Sequence, residues 1–170
     1  MAGRIALGHG ASGTAATMRP YVDGLAARGV EARAVDLPRS RPDAAVEVFL
    51  ALAAADAGLA LGGHSFGGRM ASLAAARRSV PALVLFSYPL HRPGRPDPGP
   101  RTAHWPAIDA PVLLLSGDRD PFARLDLLRT AVASLPQGRL IVYPGAGHGL
   151  AGHLDGALAA AADFLLGAGG

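Results

Sequence analysis

Apolar residues fall along this chain in two alternating patterns. Short runs free of charge recur at Ile5-Ala6-Leu7, Leu59-Ala60-Leu61, Ala82-Leu83-Val84-Leu85-Phe86, Val112-Leu113-Leu114-Leu115 and Leu140-Ile141-Val142-Tyr143. Between them the apolar positions lie three and four apart, as in Met18, Val22, Leu25 and Ala26, in Val46, Phe49, Leu50 and Ala53, and in Leu125, Leu128, Val132 and Leu135. Runs that are apolar at every position describe strands buried on both faces, as in a parallel sheet. The wider spacing describes helices with one buried face. Strands are therefore expected at 5–7, 31–37, 59–63, 82–86, 112–115 and 140–143, and helices over 17–28, 43–57, 69–78, 123–135 and 154–166. Gly29 and Pro38 close the first helix and the second strand, and Asp43 is placed to N-cap the second helix. Residues 91–106, rich in Pro, Gly and Arg and without periodicity, read as an irregular loop. Strands alternating with helices make a doubly wound α/β sandwich. The expected architecture is a single domain over 1–170 with a minimal six-stranded, mostly parallel sheet, helices on both faces and no cap domain.

Composition narrows the function classes. A chain of 170 residues, half of them hydrophobic, is long enough to bury a sizeable core. The net charge is only +3, and all sixteen basic residues are Arg. They are scattered in sequence, which gives no nucleic-acid patch. There is no cysteine, hence no disulfide framework and no thiolate chemistry. The longest apolar region, 44–61, is broken by Glu47 and Asp56 and reads as a helix plus a strand rather than a membrane span. No signal-like segment precedes the first strand. The expectation is a cytoplasmic protein, monomeric or homodimeric, without a membrane or nucleic-acid partner.

In a parallel α/β sheet the loops at the carboxyl ends of the strands form the ligand crevice. Four such loops carry chemistry: 8–13, 63–68, 117–122 and 145–150. The second reads Gly63-His64-Ser65-Phe66-Gly67-Gly68, a Gly-x-Ser-x-Gly turn between a strand and a helix. A serine in so sharp a turn needs glycine two residues to either side, where a Cβ would collide. The pattern is that of the nucleophile elbow of α/β-hydrolases. The turn aims the Ser65 hydroxyl outward and leaves the N–H of Phe66 at a helix start, where it can donate to an oxyanion. Ser65, Asp120 and His148 follow in the order Ser, Asp, His, which is the hydrolase order. Ser65 is the candidate nucleophile, His148 the base and Asp120 its orienting acid. Asp118 competes with Asp120, but Gly-x-x-Asp is the usual spacing, and Asp118 is better placed to bind backbone N–H groups in the turn. His9-Gly10-Ala11 resembles the His-Gly motif of an oxyanion loop, with the Ala11 N–H as second donor and Ser12 as the alternative by one residue. His9 would hold that loop. His9, Ser12, His64, Tyr88, His91 and Trp105 are candidate pocket residues. No metal or cofactor is expected: His148 and His153 lie five apart, off the spacing of a helical zinc pair, and no P-loop Lys is present.

The elbow and its continuation, Gly62-Gly63-His64-Ser65-Phe66-Gly67-Gly68-Arg69-Met70-Ala71-Ser72, resemble the small KANL3/Tex30-like α/β-hydrolase group, near the dienelactone-hydrolase-like proteins. Ser87-Tyr88-Pro89-Leu90-His91-Arg92-Pro93-Gly94-Arg95-Pro96 and Gly117-Asp118-Arg119-Asp120-Pro121-Phe122 extend the likeness. The resemblance implies the α/β-hydrolase fold and a Ser-His-Asp triad acting on a small acyl ester, thioester or lactone through an acyl-enzyme. Two other classes compete. Gly8-x-Gly10-x-x-Gly13 after a strand, with Asp36 ending the next, matches a dinucleotide fingerprint. A hydrolase fold can also serve as a non-catalytic interaction module.

Overall fold

The structure is a computed structural model that describes residues 2–167. Six strands form one sheet: β1 (Arg4–Gly8), β2 (Glu31–Val35), β3 (Ala60–His64), β4 (Leu83–Phe86), β5 (Val112–Gly117) and β6 (Gly138–Tyr143). Their order across the sheet is β2-β1-β3-β4-β5-β6, and every pairing is parallel. The sheet is thus more regular than the mostly parallel one expected. The four central strands are apolar runs; the fifth run, Leu140-Ile141-Val142-Tyr143, lies in β6 at the edge of the sheet and is only partly covered, not buried on both faces as expected, because no strand pairs beyond it. β4 and β5 are buried throughout, and β1 and β3 are buried except at one end. The edge strands β2 and β6 are only half covered, and these carry the polar residues Glu31, Arg33 and Arg139.

Helices α1 (Arg19–Ala26), α2 (Pro42–Ala55), α3 (Phe66–Ala75), α5 (Leu125–Val132) and α6 (Leu154–Leu166) cover both faces; α4 (Gly99–Thr102) is a single turn. Strand side chains divide strictly by parity. Ala6, Leu61, Leu83, Leu85, Val112 and Leu114 face a core completed by Val46 and Phe49 of α2, Met70 of α3 and Leu128 of α5. Ile5, Leu7, Val84, Phe86, Leu113 and Leu115 face a second core built with Leu25 of α1 and Leu158 and Leu165 of α6. A period of two on strands buried on both sides requires two such layers.

Three local expectations change. The first helix opens as a 3-10 turn over Ala15–Met18, and its α-helical part begins at Arg19, where Pro20 supplies a fixed φ and has no N–H left without an acceptor. The second helix starts at Pro42 with Arg41 as its N-cap, so Asp43 is not the cap. It lies in the first turn, where its charge favours the helix dipole. Residues 91–106 are not wholly irregular. Arg92 and Arg95 form a β-bridge, α4 follows, and Trp105–Ala107 make a 3-10 turn. Buried Tyr88 and Trp105, their rings edge to face at 5.0 Å, anchor this segment to the core.

Candidate active site

The elbow is built by close backbone approach. In the sheet Gly8 lies beside Gly63, and α3 starts directly against them. A Cβ on Gly67 would overlap the carbonyl group of Gly8, and one on Gly63 would lie 2.5 Å from the Gly8 oxygen. Glycines at these positions let the chain reverse within one residue. Ser65 is that residue, at φ 51° and ψ −116°. A non-glycine residue at positive φ costs about 1–3 kcal/mol, and surrounding bonds must hold it there. They do: Ser65 N–H donates to Phe86 O at 3.0 Å, and Ser65 O accepts from Arg69 N–H at 3.0 Å. Phe66 opens α3, so its N–H precedes the first intrahelical acceptor.

Two loops close on this turn. Asp118, after β5, accepts from the Gly145 N–H at 2.7 Å and so clips its loop to the one after β6. The Arg119 N–H to Ala146 O bond adds a second clip. On this scaffold His148 Nε2 lies 2.8 Å from Ser65 Oγ, and His148 Nδ1 lies 2.8 Å from Asp120 Oδ2. Asp120 is 4% exposed, and its other oxygen accepts from the Phe122 N–H at 2.8 Å. A carboxylate only accepts, so Nδ1 carries the imidazole proton and Nε2 is left to accept from the serine hydroxyl. The His148 ring is held between Phe122, with centroids 4.4 Å apart, and His64 at 5.2 Å. His64 Nε2–H donates to the His148 carbonyl at 3.1 Å. Burial above all lowers the pKa of His64 and keeps its ring neutral.

The other sequence candidates part company here. Ala11 shares with Ser65 and Phe66 a cavity of about 140 Å³, lined also by Arg69, Pro89, Arg101 and Phe122. Ser12 and His64 line a separate cavity of about 290 Å³ with Gly10 and Tyr21. His9 lines neither. It is 1% exposed, takes the Leu37 N–H on Nε2 at 2.9 Å and donates from Nδ1 to Gly10 O, tying the β1 loop to the end of β2. Tyr88, His91 and Trp105 are also interior. Tyr88 OH donates to Arg101 O at 2.5 Å, and His91 Nε2 accepts from Arg124 N–H at 3.0 Å. None of the three lines the cavity at Ser65, and burial of their side chains stabilises the segment after β4 instead. Arg69 and Arg101, which do line the cavity beside Ser65, were not singled out in the sequence. They lie on different elements, and only the fold joins them.

A family profile described as an alpha/beta hydrolase domain matches residues 39–156, which include Ser65, Asp120 and His148. The chain belongs to the alpha/beta hydrolase family. Solved hydrolase structures superpose over most of its length. A monoacylglycerol lipase from Paleococcus ferrophilus aligns with a TM-score of 0.83 at 16% identity, over 96% of this chain and 94% of that one. Est1E from Butyrivibrio proteoclasticus gives 0.80 at 19%, over 96% and 87%. A dienelactone hydrolase from Anabaena variabilis gives 0.76 at 22%, over 96% and 83%. At such identities the likeness is one of fold. No curated protein matches the sequence significantly.

The glycine-rich loop after β1 departs in its geometry from a dinucleotide fingerprint. It leads into a 3-10 turn and not straight into a helix N-terminus, and Asp36 already accepts from the Ala15 N–H at 2.7 Å. Among the described residues no cluster of three or more His, Asp or Glu side chains could hold a metal, and no helix is long and apolar enough to cross a membrane.

Proposed function

We propose that the protein is a serine hydrolase that cleaves small carboxylic esters, with thioesters and lactones as related substrates. The supporting observation is the unbroken line of hydrogen bonds from Ser65 through His148 to Asp120, 2.8 Å at each step. In this reading Ser65 Oγ attacks the ester carbonyl as its proton passes to His148 Nε2. Asp120 stabilises the imidazolium, and the N–H groups of Phe66 and Ala11 receive the developing oxyanion. His148 then protonates the departing alcohol, and the carbon–oxygen bond breaks to leave an acyl-serine. A water, deprotonated by His148, attacks that acyl group, releases the acid and restores Ser65. The cavity at Ser65 is about 140 Å³ and open to solvent, which suits short acyl groups rather than long lipids. The same reading favours the KANL3/Tex30-like group, on the elbow and on the segment from Ser87 to Pro96.

The test is hydrolysis of 4-nitrophenyl acetate and butyrate by wild type and Ser65→Ala. The expected result is measurable turnover that falls at least ~10³-fold in the variant while its melting temperature stays within a few degrees. Turnover retained by Ser65→Ala would refute the assignment.

A further inference from the structure

The cavity at Ser65 has an arginine-lined neighbour. Arg69 and Arg101 form part of its wall, and the same two side chains border a second cavity of about 310 Å³. That second space is lined by Arg69, Arg92, Arg95, Asp97, Pro100 and Arg101. Four arginines thus line one cavity with a single acidic residue. They come from α3 and from the segment that follows β4, so nothing local in the sequence requires them to meet.

These arginines are poorly compensated. Among the described residues none of the four pairs with a carboxylate within 4.0 Å, whereas Arg4, Arg19, Arg28, Arg77 and Arg124 all do. Asp97, the one acid present, already accepts from the Gly99 N–H at 3.0 Å. Arg69 Nε is buried and has no hydrogen-bond partner. Arg101 donates only to the carbonyls of Pro89 and His91. Its pKa is pulled below the usual guanidinium value by burial and by the charges of Arg69 and Arg92. A buried N–H without an acceptor and mutually repelling cations both gain from a bound anion. Guanidinium groups suit carboxylate and phosphate in particular, because their paired donors match two oxygens at once.

We propose that this arginine-lined cavity binds an oxyanion, namely a carboxylate or phosphate that the substrate carries in addition to its ester. The proposal rests on the hydrolase reading for its catalytic half. The ester sits at Ser65, and the ionised group sits across the wall formed by Arg69 and Arg101. The substrate class becomes a short anionic ester, with the charge on either the acyl or the alcohol side.

Two arms test it separately. The first needs no turnover. Ser65→Ala protein is titrated calorimetrically with glutarate and with inorganic phosphate at low ionic strength, alone and with Arg92→Gln and Arg95→Gln added. Both added positions are exposed, and thermal melts check that the variants fold. Saturable binding is expected, weakened about tenfold or more by the two substitutions. Arg92→Lys with Arg95→Lys should restore part of it. The tighter of the two anions identifies the chemistry. Absence of saturable binding, or equal binding by the Gln variant, would overturn the proposal. The second arm compares kcat/KM for mono-4-nitrophenyl glutarate against 4-nitrophenyl pentanoate, and for 4-carboxyphenyl acetate against phenyl acetate. One pair should favour the anionic member, and that preference should drop about tenfold in the Gln variant. Ser65-dependent turnover with no preference in either pair would overturn the anion site and leave the hydrolase reading standing. Anion binding with no ester turned over would do the reverse.

Discussion

Gly67→Ala tests the elbow through packing alone, because it adds one methyl group and removes no polar group. The Cβ would overlap the carbonyl carbon and oxygen of Gly8 and lie 2.7 Å from Gly8 Cα. Real Cβ atoms essentially never come within 3.0 Å, and ordinary contact begins near 3.4 Å. The obstacle is backbone in the middle of the sheet, so no side chain can swing aside. Helix α3 must withdraw from β1 by roughly 1 Å. Overpacking of this kind costs about 3 kcal/mol, at the upper end of its usual range because backbone has to move. For a chain of this length that is a fall in melting temperature of roughly 6–12 °C. Ser65 stands two residues before Gly67, so the same shift displaces its hydroxyl from His148. A misplacement of about 1 Å costs on the order of 10²-fold in rate. Thermal melts and kcat/KM on 4-nitrophenyl butyrate read both effects, with Gly3→Ala as control because a Cβ there meets nothing within 4 Å. If Gly67→Ala keeps the wild-type melting temperature and rate, the close approach of α3 to β1 is not what builds the site.

Three further outcomes follow from other contacts. Asp120→Asn, which can present an N–H to His148 Nδ1 and so favour the wrong tautomer, should lower kcat by ~10³–10⁴ with little loss of stability; steady-state kinetics beside a melt would show this, and a loss under tenfold would contradict it. Tyr88→Phe removes the hydroxyl that donates to the Arg101 carbonyl, leaving a buried acceptor at a cost of about 1–2 kcal/mol, or roughly 2–8 °C in a thermal melt. Burial, with the charges of Arg69 and Arg77, pulls His104 from 6.5 down to about 4. The unfolded chain therefore binds a proton in that window that the folded protein does not, so stability is full above pH 6.5 and declines as pH falls towards 4. Discounted for partial exposure, the loss is about 1–2 kcal/mol, and His104→Gln should flatten that limb in urea titrations between pH 7 and 4.

The parts of the fold that were legible in the sequence share a physical cause. β1, β3, β4 and β5 are buried on both faces and β6 carries the apolar run Leu140–Tyr143, so composition alone betrays them, and the loops at their carboxyl ends line up from the sequence pattern. That alignment brought Ser65, Asp120 and His148 to one edge of the sheet, where the structure joins them by hydrogen bonds. Asp118 was legible only as an acceptor of backbone N–H: the expected partners lie in its own turn, but the N–H it takes is that of Gly145, 27 residues on in the loop after β6. The rest depended on tertiary contacts. Tyr88 and Trp105 are pocket candidates by their place after β4, but whether a ring turns inward depends on what packs beneath it. His64 could be marked as a neighbour of Ser65, yet its bond to the His148 carbonyl spans 84 residues of chain. The arginines scattered through the sequence converge only because α3 and the segment after β4 fold together.

The most direct measurement of the central claim is labelling with a fluorophosphonate probe, read by intact mass, on wild type, Ser65→Ala and His148→Ala. An activated serine held by its histidine predicts one adduct on wild type and none on either variant. No adduct on folded wild type, or an adduct that survives Ser65→Ala, would contradict the account.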